Sequence, residues 1–523
     1  MLYAQNRDLD PVKSTRERGN VRTVQSAQID GRDFTVAKYD GYKAQKEWKR
    51  HVKDHMGIRH ANVLQIFGIV EGQNVYAAVF HGDLVPVDNF LHAYRQYPLK
   101  FCYIHSSLAT DYFEGGCYLY HNFRYDLNRN NSTLLVNHLT GHLCLDPVGN
   151  TRHHLCSFRA PLNIDKSLQP PPMQVLSAPD SNLIVELFDF SDYHVTCYIV
   201  LSTRRAMPIA TTATLHVGSV LYYGNSELDD PIVVAFRPAT DWKHLLMGYW
   251  RHDTPTRPLK ELSRDWTHRT QFSYRQLIEQ TELGNGLPTN LVMELMDRVL
   301  RSDDWLSQAN HIFRRSSISS NRGDYWLLDS IKFRCHLHPV KNATSHRPEG
   351  FLILCPPEDF RATLSGLPEA KQPPEGYRAA LASSFKWPET PAYWSLDYWG
   401  SSRLSTEEAA QLGFPSIHFS TELQLLSWDD SVYAGIREFH CAKGCGPESQ
   451  EIAKGLDRPL YELASEREWV TVLMVKDIED RERNSGLEDV DDEFGSHKDN
   501  SETARILGVI VMLMILFNIY HSI

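Results

Sequence analysis

The chain has 523 residues, 42 % of them apolar, and a net charge of −11. That length holds roughly two to four domains, and the apolar content is enough to build cores. No basic patch with interleaved aromatics is present, which excludes nucleic-acid binding, and nine cysteines without a paired spacing exclude a disulfide framework.

Residues 1–20 are polar and are expected to be disordered. From 21 to 165, short apolar runs alternate with helical patterns. FTVAKY reads as a strand, KAQKEWKRHVKDHMGI as a helix, HANVLQIFGIV as a turn and a strand, NVYAAVFH as a strand and DNFLHAYR as a short helix. Three prolines at 170–172 mark a boundary. A β-rich middle region is expected over 180–260, from the runs LIVELF, VTCYIVL, ATLHVGSVLYY and PIVVAF.

An α/β region is expected over 261–475. The spacing of Leu291, Leu295, Val299 and Leu306 predicts a helix over 290–313. The alternating runs DYWLLDSIKFRCHLH and GFLILC are expected to pair across the polar segment 339–350. Ser405 and Glu408 form a capping box, so a helix begins there and stops near Gly413. DDSVYAGIREFH reads as a helix with Gly444 at its C-cap. His440, Cys441 and Cys445 lie within six residues, but CxxxC without a second ligand pair falls short of a zinc pattern and reads as ordinary buried thiols. His153, His154 and Cys156 form a weaker cluster.

Residues 385–399 concentrate Phe385, Trp387, Tyr393, Trp394, Tyr398 and Trp399 between prolines. Such density lines a groove for a partner, a peptide or a ligand, or it plugs the seam of the last domain. The stretch 476–503 reads as an acidic disordered tether. Its 477–502 portion sets eleven acids against three bases and so carries most of the net negative charge. The run 506–520, ILGVIVMLMILFNIY, is uncharged. As a helix it spans about 22 Å against about 30 Å of hydrocarbon, so Arg505 and His521 would snorkel. The expectation is a transmembrane tail anchor over 504–521. With no apolar h-region among the first residues, the bulk of the chain is then cytosolic and the organelle open.

The order of units from 34 to 92, with IRHANVLQIFGI after the helix, resembles the N-lobe of protein kinases. TLLVNHLTGHLCLDPVG, at 133–149, resembles the kinase hairpin that carries the metal-binding Asp. The five-residue separation of Asp126 and Asn131 is similar to that of the catalytic-loop Asp and Asn. More specifically, the chain resembles an expanded family of uncharacterised kinase-like proteins in mushroom-forming fungi, in which lines similar to SQANHIF, AYWSLD, LSTEEAAQLGFPSI and SVYAGIREFH recur. The resemblance implies Lys38, Glu47 and Asn131 as nucleotide-binding residues, Asp146 as metal ligand and Asp126 as base.

The residues themselves depart from that pattern. Phosphoryl transfer needs a phosphate cradle, a Lys–Glu pair, a base and metal carboxylates. No GxGxxG precedes the first strand. The kinase Lys falls two residues after Ala, where Tyr39 stands, and Lys38 is one position early, which turns a strand side chain to the other face unless the register starts at Val36, in which case Lys38 serves. The helix Glu falls nine residues before the His of the turn, where His51 stands, with Glu47 one helical turn away. Asp126 follows Arg124 and Tyr125. Alignment on Leu134 and Leu135 puts Thr133 at the Asn position, and Asp146 is followed by Pro-Val-Gly.

The expected fold is α+β: a kinase-N-lobe-like region, a β-rich middle, an α/β C-terminal domain and a C-terminal transmembrane helix. The expected function is a membrane-tethered, non-catalytic kinase-like scaffold or regulator that binds a protein partner and needs no cofactor. Two alternatives stay open. One is an active atypical kinase, which requires ATP and magnesium. The other is a ligand- or peptide-recognition protein that uses Trp387, Tyr393, Trp394, Tyr398 and Trp399.

Overall fold

The computed structural model describes residues 14–17, 20–72, 75–125, 132–147, 173, 182–211, 213, 215–223, 231–237, 245–246, 250–253, 270–273, 277, 283, 286–297, 302–339, 348–361 and 384–464. The chain divides into two units, Met1–Leu473 and Met474–Ile523, and every described residue lies in the first.

An antiparallel sheet opens the fold, with β1 (Ser14–Glu17), β2 (Asn20–Ile29), β3 (Arg32–Asp40), β4 (Ile66–Gly72) and β5 (Val75–His81) in the order β1-β2-β3-β5-β4. Asp30 and Gly31, with φ of 50° and 75°, join β2 to β3 at Ile29 and Arg32. Both are left-handed, as a two-residue hairpin that follows the strand twist requires. Helix α1 (Ala44–His55) buries Ala44, Trp48, His51, Val52 and His55, a single helical face, against this sheet. Trp48 Nε1 donates to Ala77 O at 2.9 Å and sets the docking angle.

Next come β6 (Leu84–Pro86), α2 (Val87–His92), α3 (Pro98–Phe123), β7 (Thr133–Asn137) and β8 (Leu143–Asp146). The three strands form a sheet in the order β6-β7-β8. The segment between α1 and β4 holds β8 in place: Leu145 N donates to Asn62 O at 2.8 Å, Leu64 N to Leu145 O at 2.9 Å, and Asn62 Nδ2 to Leu143 O at 3.3 Å. On α3, a Cβ at Gly115 would lie 2.6 Å from Leu145 Cδ1 and 3.0 Å from Asn62 O. Alanine is the better helix former by about 1 kcal/mol, so glycine stands here for the close approach of α3 to β8.

The runs expected as strands at LIVELF and VTCYIVL are instead helices α4 (Asn182–Leu187) and α5 (Phe190–Val200). Asp189 caps α5 by accepting from Asp192 N at 2.6 Å, and the helix packs among α3 and later helices. A short, largely apolar run fits a buried helix and a buried strand equally, and at α5 the Asp189 cap decides.

The remaining strands are β9 (Thr203–Ile209), β10 (Leu215–His216), β11 (Val220–Tyr222), β12 (Ile232–Phe236), β13 (Leu245–Leu246), β14 (Arg251–His252), β15 (Thr270–Ser273) and β16 (Thr289–Asp297). They are followed by helices α6 (Ser302–Leu306) and α7 (Ala309–Arg315), so the helix expected over 290–313 is a strand and two short helices. Leu291, Met293 and Leu295 also satisfy a period of two, and pairing along β17 (Tyr325–His338) selects it. The chain ends its described part with β18 (Phe351–Leu354), β19 (Ser384–Phe385), β20 (Ala392–Ser395), α8 (Thr406–Gln411), β21 (Ser416–Ser427), α9 (Asp430–Ala442), α10 (Glu451–Gly455) and β22 (Glu462–Leu463).

β17 is central to a nine-stranded sheet, flanked by β16 and β21 along most of its length. With both edges filled it cannot form the expected hairpin with β18, which pairs with β15 and β20. The capping box predicted at Ser405 is present: Ser405 Oγ accepts from Glu408 N at 3.1 Å, Ser405 N donates to Glu408 Oε2 at 2.8 Å, and Gly413 at φ 86° ends the turn after α8. Helix α9 likewise begins at the Asp429 cap and closes on Gly444 at φ 77°.

The fold is mixed α/β, and the expected α+β architecture ending in a transmembrane helix is corrected. Among the described residues no helix is long and apolar enough to cross a membrane. The longest, α3, carries Lys100, Asp111 and Glu114 and buries its N-terminal half in protein rather than lipid. The expected anchor at 504–521, the tether at 476–503 and residues 1–13 lie outside the described residues.

Candidate functional site

Asp146, the last residue of β8, is fully buried. Arg22 of β2 forms an ion pair with its Oδ2, and His55 at the end of α1 places Nε2 3.2 Å from its Oδ1. His55 Nδ1 lies 2.7 Å from His51 O, so both nitrogens of the ring face oxygen acceptors. Burial alone would push the Asp146 carboxyl up, but Arg22 and His55 together hold it well below the usual carboxylate range. Burial likewise works against the Arg22 charge, and Asp146 more than restores it. The guanidinium also sits 5.9 Å from the Tyr39 ring and 6.0 Å from the Phe80 ring.

Beside this cluster, Tyr39 and His51 form a neutral pair. His51 Nδ1 lies 3.1 Å from the Tyr39 hydroxyl, and Arg50 Nη2 donates to His51 Nε2 at 3.0 Å. The proton of the imidazole is therefore on Nδ1 and is donated to Tyr39. Burial, then the charges of Arg22 and Arg50, pull His51 down to about 3. Burial pushes Tyr39 up to about 12.

The other expected residues fall elsewhere. Lys38 points away from the cluster and pairs with Asp40 at 3.0 Å near solvent, because strand alternation gives the inner face to Ala37 and Tyr39. Glu47 Oε2 accepts from Arg50 Nη2 at 2.8 Å and lies 3.8 Å from a neutral His51, which is no ion pair. Asp126 and Asn131 lie outside the described residues. Along the linker from β5 to β6, Thr35 Oγ1 donates to Gly82 O at 2.7 Å and accepts from Leu84 N at 2.9 Å. Two backbone groups that this linker could offer a ligand are thus used internally.

The aromatic segment divides in two. Trp387 donates to Thr421 Oγ1 at 2.7 Å and packs against Phe333, Phe360 and Phe419. Trp394 is buried on Phe414 and donates to Pro415 O at 2.8 Å, while Tyr393 is half-buried with its hydroxyl 3.3 Å from Gly400 O. These rings build the core. Tyr398 and Trp399 instead project, 51 % and 76 % exposed. They sit on a turn held by Asp397, which accepts from Trp399 N at 2.8 Å, Ser401 N at 3.1 Å and Ser402 N. Desolvation pushes the Asp397 carboxyl up, but these backbone donors bring it down to about 2.

His440 is buried with its Nε2 2.8 Å from His194 Nε2, whereas Cys441 is exposed and Cys445 half-buried, so the expectation of buried thiols fails at Cys441. The residues His153, His154 and Cys156 lie outside the described residues. Among the described residues no three metal-binding side chains converge. Arg22 and His55, which make the site, were not singled out by sequence. Arg22 is one polar position in an alternating strand, and its partner is 124 residues away. No protein-family model matches the chain, and no curated protein matches it.

Arg22→Ala leaves Asp146 in a dry site short of its main cation, and should cost about 3–5 kcal/mol in urea unfolding. Lys38→Ala should stay within about 0.5 kcal/mol.

A pH dependence follows from four buried rings. Burial lowers His51 to about 3, His105 and His440 to about 4, and His194 well below its ordinary value. Each is neutral in the fold but titrates near about 6.5 in the unfolded chain. Below that pH the unfolded chain binds more protons, so stability falls toward the folded values, by at most about 1.4 kcal/mol per pH unit for each ring. Asp146, depressed in the fold, adds a loss once the pH drops below about 4. Urea midpoints should fall between pH 7 and pH 5 and change little from these groups between pH 7 and pH 8.

Proposed function

We propose that the chain is a non-catalytic, kinase-like scaffold that binds a protein partner. The observation that carries this reading is the closure of Asp146 by Arg22 and His55. In the kinase resemblance, Asp146 stands where the metal ligand belongs, Tyr39 where the Lys belongs and His51 where its Glu partner belongs. Tyr39 and His51 do meet, at 3.1 Å, but as an uncharged pair. Phosphoryl transfer relies on charges that position and stabilise phosphates. Here one carboxylate is taken by a guanidinium, the Lys–Glu charges are replaced, and Lys38 faces the other way. Magnesium and ATP do not fit this arrangement, and no catalytic step is derived through them.

Calorimetric titration of the full chain with ATP, with and without magnesium, tests the reading. No binding is expected up to millimolar nucleotide. Magnesium-dependent binding in the micromolar range that is lost in Asp146→Asn would overturn it and restore the kinase alternative.

A second reading, recognition of a peptide or ligand through the aromatic segment, is supported by one observation. Leu396, Tyr398 and Trp399 are exposed on a turn made rigid by Asp397, which is how a preorganised anchor is presented to a partner. Capture of a partner by the full chain should then fail for Trp399→Ala and persist for Arg50→Ala.

A further inference from the structure

β17 carries His336 and His338 two residues apart, which sets both imidazoles on one face of the nine-stranded sheet. On the neighbouring strand, β21, His418 lies directly opposite His336. The His338 and His418 rings are 5.2 Å apart at 81°, and those of His336 and His338 are 6.5 Å apart. His338 and His418 are exposed and His336 is half-buried.

Hydrogen bonds prepare His336 as a ligand. Asn290 Oδ1, on β16, lies 2.8 Å from His336 Nδ1. An amide oxygen only accepts, so that nitrogen carries the proton and Nε2 presents a lone pair, which takes a hydrogen bond from Ser420 Oγ at 2.7 Å. His418 Nε2 lies 3.2 Å from Ser416 Oγ. A ring fixed through one nitrogen by an oxygen acceptor, with the other nitrogen outward, is the form in which histidine binds metals.

We propose that His336, His338 and His418 form a binding site for a divalent transition-metal ion of the zinc, nickel or copper kind. Three imidazoles suit such borderline ions, whereas magnesium and calcium prefer oxygen donors. As folded, the three rings do not converge to metal-holding geometry. The ion assembles the site by replacing the serine hydroxyls at Nε2 of His336 and His418 and by turning the exposed His338 inward. Three protein ligands leave a fourth position for water or another donor. This site lies on a different sheet from the Asp146 cluster and does not depend on the scaffold reading.

The test is a calorimetric titration of the full, chelator-treated chain with zinc sulfate. One zinc per chain with a micromolar dissociation constant is expected, weakened at least about tenfold in His338→Ala and in His418→Ala and unchanged in His121→Ala, an exposed control on α3. Both substituted rings are exposed, so melting temperatures should be retained without metal. Copper bound by the unaltered chain should show nitrogen hyperfine coupling in its electron paramagnetic resonance spectrum, reduced in both variants. No zinc binding up to millimolar concentration overturns the proposal, as does binding of equal strength in His338→Ala and His418→Ala.

Discussion

A buried carboxylate must be neutralised where it stands, and Asp146 imposes that condition on the first third of the chain. Removing a carboxylate from water costs several kcal/mol even after relaxation, and only well-placed cations and donors offset it. Arg22 comes from β2, His55 from α1 and Asp146 from β8. One charge therefore fixes the five-stranded sheet, its helix and the three-stranded sheet relative to each other. The cost of separating them is also the reason the cleft between them is closed to other cations.

The surroundings reinforce that closure. Asn62 and Leu64 pair with β8, and Gly115 lets α3 approach it, so Asp146 has little room to turn away. Thr35 ties up Gly82 and Leu84, and the uncharged Tyr39–His51 pair fills the position beside Arg22. Together they pair the Asp146 carboxylate, the Tyr39 hydroxyl and both His51 nitrogens within the protein, with Arg22 Nε left over, and that is the physical content of the non-catalytic reading.

One apolar cluster then extends from Ile58 and Leu145 through α3 and α5 to Trp305, Tyr433 and Leu463. Side-chain bonds tie its elements together, although the Tyr193 and Tyr461 hydroxyls find no hydrogen-bond partner among the described residues. Gln308 Nε2 donates to Asp304 O and Pro459 O, both at 2.8 Å, while its Oε1 accepts from Tyr461 N at 2.9 Å. Arg458 and Arg237 neutralise Asp303 and Asp304. The line SQANHIF thus has a structural role in joining α6 and α7 to the segment after α10. Among the described residues the exposed large apolar side chains include Trp399, Tyr42 and Met56, 76 %, 75 % and 65 % exposed.

Local features were legible in the sequence because their causes are local. The capping box at Ser405 and the glycines after α8 and α9 follow from hydrogen bonds spanning a few residues. The face of Lys38 was legible only as two alternatives, since a strand has a period of two and its register was open. Buried apolar runs were not legible in this way: LIVELF, VTCYIVL and the stretch from Leu291 satisfy helix and strand alike, and their partners select between them. Nor could spacing reveal Arg22 and His55, whose meaning lies in a carboxylate far along the chain. The sequence by itself determined which turns cap and which strands alternate. Only the tertiary structure decided that Arg22 occupies Asp146, because a charge must be compensated in space and sequence distance does not record who stands beside it.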